Sequence, residues 1–314
     1  MGVSHRSPDE RDVIRGMNPD TDPMPPKGLA WETYSDMVLA DWYRLLSQDP
    51  EEDEVQRFLE LHPSMIPGGS GDIGPGGHHG SDMGAVFRQP KLIGGGRTFV
   101  PDFMWVTHSS ALVTPILIEI EKPSKRWFRK DGRPTSDFTE ARDQLNDWRS
   151  WFAREGNMAL FRDTFLFLSD KCEDRPLEPQ YGLIYGRESE FRLSGGHVNP
   201  GELRYKRDQQ RARDEYFMTF DALRPRFDHR NSMTLTMTAN GPKIHAFSPV
   251  FGTGASIGEG ALILNDPQAA LARSVMMEDQ RRAYLAKRWA FWQEDERQKN
   301  ANPDGIYFRS LGVE

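Results

Sequence analysis

Cysteine is almost absent from this chain. A single one, Cys172, among 314 residues excludes an internal disulfide framework and any zinc cluster built from thiolates. Long hydrophobic runs are missing too, and no apolar stretch approaches the roughly 20 residues of a membrane-spanning helix. The opening residues lack the apolar segment of a signal peptide. "MGVSHRS" nearly fits a myristoylation motif, but Arg6 stands where serine or threonine is required. Positive charge is not in excess: 40 Lys and Arg against 47 Asp and Glu give a net charge of -7. That balance argues against a surface coated for nucleic acid, though not against a local basic groove. With a mean hydropathy of -0.68, the expectation is a soluble protein of a reducing cytoplasm with no membrane partner. The length suits one large domain or two modest ones.

What is present divides the chain. Residues 1–30 combine proline with charge and read as a disordered or loosely attached tail. A helical pattern runs from Trp31 to His62, with the acidic run "DPEEDE" suited to a positive helix end. Residues 67–96 are glycine-rich and read as a mobile loop carrying His78 and His79. Its "GSGDIG" formally matches a dinucleotide fingerprint but lacks the preceding strand and following helix. The adjacent histidines lack the spacing of a metal-binding pair. Residues 97–108 and 112–120 predict an antiparallel hairpin. "KPSKRWFRKDGRP" is basic with interleaved aromatics, and 137–157 predicts an amphipathic helix with Phe138, Ala141, Leu145, Trp148 and Phe152 on one face. "DTFLFLS" and "YGLIYGR" read as strands, and "LRYKRDQQRARDEY" as a basic helix. "YFMTFDALR" reads as a strand entering a helix. A hairpin follows that turns at Asn240–Gly241, then a last helix from about Met276 to Gln298. The expected division is a tail over 1–30, a principal domain over 31–225 and an extension over 226–314. The extension, with its helix around Trp289 and Trp292, is a candidate subunit interface.

The segment "PILIEIEKP" (115–123) raises the functional question. Ile116, Leu117, Ile118 and Ile120 mark a buried strand, yet Glu119 and Glu121 project together from one face of it. Asp102 lies in the facing strand after "TFVP". Any one of these acids alone reads as an exposed edge residue. Three where burial is expected point instead to neutralisation by a cation, and hard oxygen donors suit Mg²⁺ or Mn²⁺.

These residues resemble a family. Pro101–Asp102, then Glu119-Ile120-Glu121 after 16 intervening residues, is similar to the PD-(D/E)XK nuclease signature. "EVQRFLELHP", "VPDFMWV", "LIEIEKPS", "ARDQLNDWRSWF" and "YGLIYGR" occur in the order found in the Shedu-type family of anti-phage nucleases. The resemblance covers residues 50–225 well and the remainder loosely. It implies an α/β fold with a restriction-endonuclease-like core, a central mixed sheet flanked by helices, followed here by a C-terminal hairpin-plus-helix extension. It further implies a metal-dependent endonuclease acting on phage or other foreign DNA as a homo-oligomer, a tetramer being one candidate order. Asp102 and Glu119 would hold Mg²⁺ or Mn²⁺ with the Ile120 carbonyl. Gln144 resembles a Gln-x-x-x-Tyr element, or is a solvated helix residue. Glu54 would add a carboxylate, or simply favour its helix dipole.

One position departs from the pattern. Glu121 stands where the motif lysine is expected, and Lys122 comes one residue late, pointing to the other face of a regular strand. Either a bulge re-aims Lys122, or Glu121 joins a Glu-x-Glu metal site, or catalysis has been lost. In the last case the chain would be a silent nucleic-acid-binding or oligomerisation module. Lys125, Arg126, Arg129 and Lys130 follow at once and are candidates for the DNA backbone. Arg204, Lys206, Arg207, Arg211 and Arg213 form a second basic cluster. The first group reads equally as a solvated face or an oligomer contact, and for the second those readings are favoured over phosphate contact.

Overall fold

The computed structural model describes residues 26–69, 71–74, 79–168, 172, 174–252 and 257–302. His78 and most of the expected N-terminal tail lie outside these. The helical pattern over 31–62 divides into α1, Trp31–Ser47, and α2, Glu52–Leu61. Tyr34, Val38, Trp42 and Leu46 recur every fourth residue on α1 and form its buried stripe. Asp49, in left-handed backbone, lies in the break between the two helices.

A seven-stranded mixed sheet forms the centre, in the order β7-β6-β5-β4-β1-β8-β9. Its strands are β1 (Ser81–Arg88), β4 (Phe103–His108), β5 (Val113–Ile120), β6 (Gln180–Ile184), β7 (Glu215–Met218), β8 (Met233–Thr238) and β9 (Gly241–Phe247). β5, β6 and β7 run parallel, while β4 pairs antiparallel with both β5 and β1. A separate ribbon joins β2 (Leu92–Gly94) to β3 (Arg97–Phe99). The helices α3 (Ser136–Phe152), α4 (Asn157–Phe165), α5 (Pro200–Gln209), α6 (Gly258–Ile263), α7 (Pro267–Arg273) and α8 (Asp279–Ala301) complete the described α-helices. The expected α/β class and helix-flanked mixed sheet are therefore present.

β5 explains the apolar run that contains the glutamates. Ile116, Ile118 and Ile120 pack with α1 and α2 on one face. Leu117 packs with Phe138, Leu145 and Trp148 of α3 on the other. A strand covered on both sides reads as continuous apolar sequence rather than as an alternation.

Several expectations are corrected. The supposed loop at 67–96 contains β1, a central strand whose Ala85, Val86 and Phe87 are buried. Its glycines build an irregularity in the register with β4. Met83 and Gly84 both adopt positive φ there, and a Cβ at Gly84 would lie 2.5 Å from the Asn231 carbonyl oxygen. The strand expected over 97–108 breaks at Val100–Asp102, so Asp102 precedes β4 rather than sitting mid-strand. Residues 163–165 end α4 instead of starting a strand, because Phe161 and Phe165 stack one helical turn apart. The helix expected over 137–157 ends at Phe152, and α5 ends at Gln209 before β7 begins. After β7 the chain makes only a short 3-10 turn, Phe220–Ala222. The late hairpin turns at Ala239–Asn240, since Thr238 pairs with Gly241. β8 joins the central sheet beside β1. Trp289 and Trp292 are buried in the chain's own core.

Candidate active site: a buried carboxylate cluster

Asp102, Glu119 and Glu121 meet at the carboxyl end of β5, beside its parallel neighbour β6, and each is only 8% exposed. In open α/β sheets ligands bind outside the carboxyl ends of the strands. Asp102 is fixed across the hairpin: its Oδ2 accepts a hydrogen bond from the Ile120 N–H at 2.9 Å. Glu119 pairs through its backbone register with Leu183 of β6, and the strand pleat sets it opposite to Ile118 and Ile120.

The cluster resists ionisation. Burial pushes the Asp102 carboxyl up to about 8, against the pull of the Ile120 N–H, and Glu52, Glu121 and Glu60 add to the rise. Burial likewise holds Glu119 well above the usual carboxylate range, helped by Asp102, Glu121 and Glu52 and opposed by Lys125. Among the described residues the Glu119 carboxylate has neither a hydrogen bond nor an ion pair. An acid buried without a counter-charge is costly unless it is protonated or meets a cation.

The other predicted residues divide sharply. Glu121 forms an ion pair with Lys125, four residues on. Lys122 turns away, as strand alternation requires, and binds Glu51 at 2.5 Å. Glu54 does not reach the cluster. It closes a capping box, its Oε2 accepting the Glu51 N–H at 2.9 Å. Removing that acceptor with Glu54→Ala should cost about 1 kcal/mol, measured by urea denaturation. Gln144 is exposed on α3 and makes no hydrogen bond to the acids. Arg126 reaches the Gly195 carbonyl and His197. Arg129 and Lys130 are exposed and carry no ion pair among the described residues. Trp127 and Phe128 are buried, so the aromatics of this basic run are core and unavailable to stack on bases. The second basic cluster is largely engaged: Arg204 pairs with Glu188, and Arg207 lies over Trp127 and Phe191.

Glu52 escaped the sequence reading. It opens α2 as an exposed side chain, partial desolvation and Glu121 raise its carboxyl, and its charge bears on both Asp102 and Glu119. "DPEEDE" held the signal, but only the helix phase decides which acid meets the sheet. A supporting network was also missed. Burial pushes Glu60 up, yet hydrogen bonds from His245 and Arg88 outweigh it and keep the carboxyl below its usual range. Next to it Gln89, in left-handed backbone, donates its N–H to the Asp102 carbonyl at 2.8 Å.

A cleft of about 290 Å³ opens alongside, lined by Ser124, Lys125, Arg126, Arg187 and Ser189 among others. A larger cavity of about 530 Å³ lies at the other end of β1 and β4, lined by His79, Asp82, Trp105 and His229 among others, and contains none of the cluster acids. Among the described residues no three His, Cys, Asp or Glu side chains form a ready metal cage. Asp102 and Glu119 instead offer two hard oxygen donors that form no ion pair among the described residues. That suits Mg²⁺, which is often bound by one or two carboxylates and keeps water on its other positions. Among the described residues no helix is long and apolar enough to cross a membrane.

No curated protein and no solved structure matches the chain. The family described as Shedu protein SduA, C-terminal, matches residues 49–223, a span that holds α2, Asp102, Glu119, Glu121 and Lys125. This covers more than half of the 314 residues, and the chain belongs to the Shedu family.

Proposed function

We propose that this protein is a metal-dependent DNA endonuclease of anti-phage defence, built on a PD-(D/E)XK core. The observation that carries the reading is the pair of buried carboxylates, Asp102 and Glu119, neither in an ion pair among the described residues, at the carboxyl end of β5 beside its parallel neighbour β6. Asp102, Glu119 and the Ile120 carbonyl would hold Mg²⁺ or Mn²⁺. Such an ion, when bound, neutralises charge on the attacked phosphate and makes water a better nucleophile.

The protein's own parts set the geometry. The Ile120 N–H holds one Asp102 oxygen and so orients the other. Burial keeps bulk water from competing around Glu119. In hydrolysis a water oxygen bonds to phosphorus, the bond from phosphorus to the 3′ oxygen breaks, and that oxygen leaves with a proton. The products are a 5′ phosphate and a 3′ hydroxyl. Arg129 and Lys130, exposed and unpaired among the described residues, are the cations of this segment best placed to hold the DNA backbone. Substituting both with glutamine should lower the slope of log K against log salt by about 2, read from binding isotherms at several salt concentrations. An unchanged slope returns the segment to an ordinary solvated face.

The direct test is incubation with supercoiled plasmid and with linear DNA in Mg²⁺, Mn²⁺, Ca²⁺ or EDTA. Nicked or linear products bearing 5′ phosphates are expected in Mg²⁺ or Mn²⁺ and not in EDTA. DNA binding with no strand cleavage in any metal would leave the protein a catalytically silent binding module.

A further inference from the structure

The nuclease pattern requires a lysine, and the position where it belongs holds Glu121. Two lysines follow. Lys122 is committed to Glu51, outside the cluster. Lys125 is bound to Glu121 inside it, and its charge opposes the rise of both Glu119 and Glu52.

Lys125 is also held in place by its own segment. Its N–H donates to the Lys122 carbonyl at 3.0 Å, a turn that carries the chain back over the end of β5. Two residues on, Trp127 is fully buried, packed against Phe138 and Tyr185 at 4.8 and 4.9 Å between ring centroids. Glu190 accepts the Trp127 and Phe128 N–H groups at 2.9 and 3.0 Å. Gly186, at φ +59°, lets this backbone lie against the end of β6: a Cβ there would stand 2.8 Å from the Lys125 carbonyl oxygen. A surface lysine serving only as a solvated charge has no need of an aromatic anchor, a carboxylate clasp and a glycine beneath it.

We infer that Lys125 is the lysine of the active site and that Glu121 is its positioning residue, the pair together replacing the single lysine of the usual pattern. The inference rests on the nuclease reading. Glu121 and Lys125 cancel in charge, which leaves Asp102 and Glu119 to the cation. The ammonium stands beside the attacked phosphate as a fixed positive charge, and no proton transfer is assigned to it.

The test uses the full-length protein and two measurements. Free Mn²⁺ is titrated by electron paramagnetic resonance without DNA, and single-turnover cleavage is followed at saturating DNA and Mn²⁺. In Lys125→Gln the loss of a nearby positive charge should tighten Mn²⁺ binding about tenfold. Cleavage should fall by about 100-fold or more, the usual cost of losing one preorganised charge at the reacting group. Lys125→Arg, which keeps the charge, should stay closer to wild type in both measurements. Moving the lysine onto the strand, with Glu121→Lys in the Lys125→Gln background, should recover much of the lost rate. Unchanged Mn²⁺ affinity in Lys125→Gln, or cleavage within about threefold of wild type, overturns the assignment. So does the reverse ranking, in which Lys122→Gln loses cleavage and Lys125→Gln keeps it. A wild type that cleaves no DNA in any metal removes the nuclease reading by itself, while the Mn²⁺ titration still decides whether Lys125 faces the carboxylate pair.

Discussion

Asp102→Asn or Glu119→Gln should reduce DNA cleavage at least about a thousandfold while making the metal-free protein more stable at neutral pH. The two effects have one origin. Burial raises the Asp102 carboxyl from its ordinary 3.8 to about 8, and Glu119 moves in the same direction. Between those pH values the folded chain keeps a proton that the unfolded chain has lost, so stability falls as pH rises. The stabilising contribution is complete below the ordinary carboxyl value and gone once pH passes the raised one. Asparagine keeps the shape and has no charge to desolvate. In EDTA the melting temperature of wild type should therefore fall from about pH 4 to about pH 8 more steeply than that of Asp102→Asn. Mn²⁺ should lift wild type and leave the variant nearly unmoved. Calorimetry across this range reads both curves. Equal pH dependence would mean that Asp102 is ionised and satisfied without a metal, and the site assignment would fail.

Trp127→Ala carries the second large effect, and it is structural. The indole has no exposed surface and is ringed by Phe138, Tyr185, Phe191 and Phe217. Truncation removes an aromatic side chain and leaves a cavity between α3 and the ends of β6 and β7, a change that typically costs about 3–5 kcal/mol. Urea denaturation measures it. Trp127→Phe should fold, lose less stability and still cut DNA more slowly, because the indole also anchors Lys125. Were Trp127 part of a surface that holds DNA, Trp127→Ala would instead keep its stability and lose DNA affinity.

What could be read in advance follows from which physics leaves a local trace. β5 was legible because a strand covered on both faces must be apolar, so the acids within it stand out. α3 was legible through the spacing of Phe138, Ala141, Leu145 and Trp148. β1 was not, because Gly80 and Gly84 build an irregular strand in a composition that imitates a loop. Phe165-Leu166-Phe167-Leu168 is a short apolar run, and such a run cannot be assigned to strand or helix end from its own period. The choice between Glu52 and Glu54 depended on helix phase and on which acid the cap consumed. Lys125 was hidden for a related reason. The turn that brings it back to Glu121 leaves no periodic signal, and its anchor, Trp127, lies among charges that suggest a surface.

Asp102 and Glu119 are proposed to hold the catalytic cation. Crystals of the full-length protein grown with Mn²⁺, measured near the manganese absorption edge, test it most directly. The account predicts an anomalous peak about 2.1–2.2 Å from a carboxylate oxygen of each residue, absent from crystals of Glu119→Gln. A peak lodged elsewhere, such as beside His79 and Asp82, or no peak at saturating Mn²⁺, would contradict it.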